Sequence, residues 1–198
     1  HHEGLVRLVA KQEDLRPFLQ QEVDGLPPVG TPPSGQPIQP ASFIYDRYFH
    51  GPRFQSHGGV LRGSGDGGSP GIDGVALMRH QLPATDQFAL EKDGERVLLE
   101  ALPMLIEAGF QNAGLVAMET LGYSSLPVGI AWSTMLRVPE SDEALRLRTI
   151  QREHREDGTT VHDVLIVGED DAPVLALKGL QLKAMGRVEE DQRFSMER

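Results

Sequence analysis

Residues 102 to 121 form one stretch with helical periodicity that is apolar on nearly every face, with Leu105, Ile106, Phe110, Leu115 and Met118 distributed around it. Gly122 follows as a helix stop, because glycine enters the left-handed conformation that closes a helix at little steric cost. A helix that is apolar nearly all round has to be enclosed rather than laid on a surface. The flanking sequence supplies what encloses it. Before the helix, 54–62 and 72–80 read as strands, and after it come 128–138, 144–153, 160–167 and 174–185. Leu145, Leu147 and Thr149 alternate with Arg146, Arg148 and Ile150, and Leu180 and Leu182 alternate with Gln181 and Lys183, which is the period-two pattern of half-covered strands. Glu169, Asp170 and Asp171 mark a turn between the last two, and Ser124-Ser125 reads as a loop leaving the helix. The expected class is α+β, a central helix wrapped by an antiparallel sheet.

One such unit fits the length. A chain of 198 residues fills one well-buried core with tails and is short for two. Residues 24–42 carry prolines at 27, 28, 32, 33, 37 and 40 among glycines, the composition of an extended linker, so the folded unit is expected at 43–187, with a charged tail at 188–198. Residues 1–23 are a separate N-terminal segment. With 29 acidic against 19 basic residues the chain carries a formal charge of −10, which repels nucleic acid and anionic lipid. Cysteine is absent, removing disulfides, thiolate metal sites and a cysteine nucleophile. No signal-peptide pattern and no apolar run of membrane-spanning length occur, so a cytoplasmic location is expected, without membrane or nucleic-acid partners.

Within the apolar helix one carboxylate and one amide stand out. Glu107 and Gln111 are an i, i+4 pair and share a face. Burying an ionisable carboxyl is costly, so Glu107 has a partner, is protonated, or opens onto a cavity where it does chemistry. The alternative is a wet carboxylate in the first turns of the helix, favoured there by the helix dipole.

The run Pro103-x-x-x-Glu107-Ala108-x-x-Gln111 resembles the central helix of hotdog-fold dehydratases acting on β-hydroxyacyl thioesters, in the version found in polyketide and polyunsaturated fatty acid synthases. Two more segments carry the likeness: Phe49-His50-Gly51-Pro52-Arg53-Phe54-Gln55 is similar to a Tyr-Gly-x-x-Phe-Gln segment, and Leu126-Pro127-Val128-Gly129-Ile130 to a Leu-Pro-Val-x-Ile segment. Glu107 stands where the polyketide domains usually have Asp, and His50 where they have Tyr. Those domains are fused pairs of hotdogs, and this chain resembles the C-terminal half. Residues 1–23 are then the end of a preceding hotdog, from His1-x-x-Gly4, or a tag remnant beginning with His1-His2.

The resemblance implies a hotdog fold and a lyase of the 3-hydroxyacyl-[acyl carrier protein] dehydratase type. It implies Glu107 as the acid and Gln111 as its orienting partner, with Phe54, His57, Phe110 and Pro127 along the substrate path. The substrate would ride on the phosphopantetheine of an acyl carrier protein, with no other cofactor or metal. A second hotdog is the expected structural partner, as a homodimer or as the first half of the same synthase, because an unpaired sheet edge invites association that Arg146, Arg148, Arg152 and Arg155 would only partly blunt.

The general base is the gap. The neighbourhood about fourteen residues before Glu107, where the single-hotdog enzymes resembled carry their histidine, reads Glu91-Lys92-Asp93-Gly94-Glu95, and no His-x-x-x-Gly-x-x-x-x-Pro motif occurs. Little or no activity is therefore expected of the chain alone. It is then a fragment, a site completed in trans, a non-catalytic acyl-binding or scaffold hotdog, or a relative of the product-template domains that direct cyclisation. The remaining histidines are dispersed without metal-ligand spacing, and His57, His154 and His162 read as structural. Gly63 to Gly68 formally match a Gly-x-Gly-x-x-Gly phosphate cradle, but Ser69-Pro70-Gly71 follow where a helix should begin, so the segment reads as a hairpin loop.

Overall fold

The computed structural model describes residues 39–64, 69–77, 89–92, 95–98, 101–140, 143–168 and 171–189. The central helix, α2, runs Ala101–Leu121. Gly122 closes it as expected, at φ +69, with its N–H returning to the Met118 carbonyl at 2.9 Å. Around it bends a seven-stranded antiparallel sheet: β1 (Gln39–Pro40), β2 (His57–Ser64), β3 (Gly71–Ala76), β6 (Tyr123–Met135), β7 (Leu145–His154), β8 (Thr159–Val167) and β9 (Pro173–Arg187), in the spatial order β1-β2-β3-β7-β8-β9-β6. A separate two-stranded ladder joins β4 (Ala89–Lys92) to β5 (Glu95–Leu98). A short helix α1 (Ala41–Tyr45) and a 3₁₀ turn (Pro52–Phe54) connect β1 to β2.

The expected class and the wrapped-helix architecture are both present. Leu145 and Leu147 are buried facing the helix, and Leu180 and Leu182 are buried as the alternation requires. The main core joins Leu105, Ala108, Ala113 and Ala117 of α2 to Leu147, Val164, Leu175, Leu177 and Leu180 of the sheet. Gly109 lets helix and sheet approach, since a Cβ there would lie 2.9 Å from the Leu177 side chain. A second cluster, Ile44, Val60, Ile72, Leu115 and Val116, seats α1 and the β2–β3 hairpin on the other flank of the helix. Fully burying each of these aliphatic side chains contributes roughly 1.5–3 kcal/mol.

Several boundaries differ from the sequence reading. Phe54 ends a 3₁₀ turn rather than opening a strand, and β3 stops at Ala76. Ser124 and Ser125 lie inside β6, not in a loop: β6 is an edge strand in which no residue is fully buried, so burial gives it no clear alternation to read. The sheet begins at Gln39 and Pro40, which pair with Val60 and Gly59, two residues inside the proline-rich segment. Arg146, Arg148 and Arg152 do not guard an edge, because β7 is interior, between β3 and β8, and Arg155 lies just past the end of β7. Arg148 instead makes a buried, bidentate pair with Asp73 across the β3–β7 ladder, at 2.6 and 2.8 Å. Residues 1–38, the glycine-rich residues 65–68, the end of the expected strand at 78–80 and the tail from 190 lie outside the described residues.

Candidate active site

The seventh residue of α2 is Glu107, and its carboxylate is where three segments of the chain converge. Gln111, one turn on, donates from Nε2 to Glu107 Oε1 at 2.9 Å and to the Phe54 carbonyl at 2.7 Å, while its Oε1 accepts from the Tyr45 hydroxyl at 2.7 Å. That donor and acceptor arrangement fixes the amide's orientation: two oxygens face its nitrogen and one phenol faces its oxygen. Tyr45 in turn accepts from the His57 backbone N–H at 2.7 Å, tying the start of β2 to the helix. Gln111 is almost fully buried, and the i, i+4 pair singled out in the sequence is joined by a hydrogen bond.

The third segment brings a histidine. His50 Nε2 lies 2.7 Å from Glu107 Oε1, with both side chains about one-fifth exposed. Phe49 stacks on the His50 ring at 4.8 Å between centroids and Tyr48 meets it edge-on at 5.5 Å. His50 Nδ1 is buried and has no hydrogen-bond partner among the described residues, so Nε2 is the nitrogen engaged with the carboxylate. Oε1 thus sits between two nitrogens, whereas no hydrogen bond to Oε2 is recorded among the described residues. The arrangement puts an imidazole nitrogen and a carboxylate oxygen within proton-transfer distance beside a fixed amide, the elements of an acid–base pair.

In the sequence His50 stands out only as a departure from a tyrosine, and neither place where the resemblance puts a base, 91–95 or a His-x-x-x-Gly-x-x-x-x-Pro motif, supplies a histidine. The available signal was position, since His50 precedes Gly51-Pro52 in the segment whose far end, Phe54, accepts the Gln111 amide proton.

His57 has a different part. It is fully buried; Nδ1 accepts from the Gly59 N–H at 3.1 Å, so Nε2 carries the proton and donates to Asn112 Oδ1 at 2.9 Å. Both ring nitrogens are taken by protein groups, and burial holds its pKa down at about 4. Asn112 completes the arrangement by donating to the Ile72 carbonyl and to Thr149 Oγ1, each at 2.9 Å. One buried amide therefore joins α2 to β2, β3 and β7. A Cβ at Gly74 would lie 2.7 Å from the His57 ring, which explains the glycine. Of the other anticipated substrate contacts, Phe54 is about half-exposed beside the network, Phe110 packs against the main core, and Pro127 is exposed on β6.

No protein-family model and no curated protein sequence matches the chain. Solved structures do match in fold. The dehydratase domain of a mycocerosic acid synthase-like PKS superposes with a TM-score of 0.54 at 13% identity, over 82% of this chain and 57% of that one. GphF dehydratase 1 gives 0.52 at 17% identity, over 77% and 53%. An inactive mutant of the CurJ dehydratase, in complex with a compound, gives 0.53 at 14% identity, over 74% and 48%. The chain thus spans about half the length of each of these domains, and the fold is the hotdog.

Proposed function

We propose that this chain is a dehydratase-type hotdog that removes water from β-hydroxyacyl thioesters carried on the phosphopantetheine of an acyl carrier protein, with Glu107 as the acid and His50 as the base. The observation that carries this reading is the 2.7 Å contact between His50 Nε2 and Glu107 Oε1, with Gln111 holding the carboxylate. Elimination requires one group to take the α-proton and another to protonate the departing hydroxyl. The cycle starts with Glu107 protonated and His50 neutral, its Nε2 turned from Oε1 towards the substrate's Cα–H. The Cα–H bond breaks to His50, its electrons form the Cα=Cβ bond, and the Cβ–O bond breaks as the hydroxyl takes the Glu107 proton and leaves as water. The proton now on His50 returns to Glu107 through their direct contact, which resets the pair.

Because the imidazole comes from a third position in the chain, turnover without an added subunit is expected rather than its absence. An assay with a β-hydroxyacyl pantetheine thioester, followed by the absorbance of the conjugated enoyl product, tests it. Glu107→Gln and His50→Gln should each lower kcat by about 10²- to 10⁴-fold. A cross-linking pantetheine probe should place its β-carbon beside Glu107. Binding elsewhere, with no turnover, would leave an acyl-binding or scaffold hotdog as the better description.

A further inference from the structure

We propose that Tyr48 is a positioning residue for His50, and that residue 114 is glycine so that helix α2 can admit the Tyr48 hydroxyl. The inference rests on the acid–base reading of His50 and Glu107 only for its functional meaning; the geometry stands apart from it. Tyr48 Oη donates to the backbone carbonyl of Gln111 at 2.9 Å, in the middle of α2. A Cβ built on Gly114 would lie 2.5 Å from that oxygen, closer than such contacts occur, so any other residue there expels the phenol. Glycine inside a helix is unfavourable relative to alanine, and here the close approach supplies its reason.

The tether acts on the imidazole directly. Tyr48 precedes His50 by two residues and its ring meets the His50 ring edge-on, so the phenol sets one wall of the imidazole's seat while exposed Phe49 covers a face. On the far side the segment is held more weakly, by Gln55 Nε2 donating to the His50 carbonyl at 3.4 Å. Gln111 is therefore used twice: its side chain orients Glu107, and its carbonyl orients the residue that seats His50. Acid and base are referenced to one residue of one helix. Burial of the phenol, reinforced by Tyr45 and Glu107, keeps it protonated and donating.

The test reads the His50–Glu107 contact without substrate. The His50 ring resonance, assigned with His50→Gln, is followed by ¹H–¹³C NMR before and after Glu107→Gln in four backgrounds: wild type, Gly114→Ala, Tyr48→Phe and the double variant. The shift change should be large in the wild type and fall to less than about a third of that in Gly114→Ala. Tyr48→Phe, which keeps the ring and loses only the tether, should give an intermediate value. The double variant should return to the Tyr48→Phe value, because the atom the new methyl meets is gone. An unchanged response in Gly114→Ala or in Tyr48→Phe overturns the proposal, as does a double variant no better than Gly114→Ala. Should Gly114→Ala fail to fold, Tyr48→Phe decides alone. If the responses run as expected and no variant or wild type turns over a β-hydroxyacyl thioester, the dehydratase reading fails and the positioning role stands; with turnover, kcat should follow the shift response while KM changes little.

Discussion

His57 and His162 are the residues whose protonation most directly opposes folding. Burial lowers both to about 4, against an ordinary histidine value near 6.5. Each unfolded imidazole takes its proton near pH 6.5 and each folded one only near 4, so the unfolded state binds more protons in that window. Stability is therefore full above pH 6.5 and falls as the pH drops towards 4, by up to about 3 kcal/mol for each group. Urea unfolding at intervals between pH 7 and 4 should show this decline, and His162→Gln should remove about half of it. A flat profile would mean that neither ring is held neutral by the fold. Nothing local separates these two histidines from His50, since dispersed single histidines look alike until burial sorts them. Glu107 and Gln111 were legible because their spacing alone puts them on one helix face, whereas the third member depends on a fold-back of the 48–54 segment that no periodicity records.

The helix was the most readable element, because a long apolar period and a terminal glycine are both local signals. What it is riveted to was not readable. Asn112, unremarkable in the sequence, is fully buried and bonded to His57, Ile72 and Thr149. Asn112→Ala leaves the His57 N–H and the Thr149 hydroxyl without that partner, and should cost about 3 kcal/mol in chemical denaturation, since an unsatisfied buried polar group costs roughly 1–3 kcal/mol. Pairing order was equally hidden: β6 follows the helix directly yet lies at the far edge beside β9, a partner from the end of the chain. That edge is 13 residues long and exposes Leu126 and Val128. Pairing of this edge with a second hotdog is the expected use of it, and unprotected edges associate readily. Light scattering over a concentration series should show mass rising towards a dimer, with Val128→Lys shifting the rise to higher concentration; a constant monomer mass would remove the expectation.

Across the whole molecule the sheet divides where the sequence does. Strands β1 to β3 precede the helix, β6 to β9 follow it, and the β3–β7 ladder is the seam between them, crossed by the buried Asp73–Arg148 pair whose members are 75 residues apart. The β7–β8 and β8–β9 pairings close through short connections, while the seam closes a long loop, whose entropy must be met before its contacts contribute. Kinetic analysis of core truncations should register the difference: Val164→Ala in β8 should slow folding with a φ-value above about 0.5, and Val60→Ala in β2 should mainly speed unfolding, with φ below about 0.3. Glu107 rides on the helix, and His50 arrives with the block on the other side of the seam. A folding chain would thus seat its carboxyl before its imidazole reaches it, and the contact between them would be the last feature gained on folding and the first lost when the seam opens.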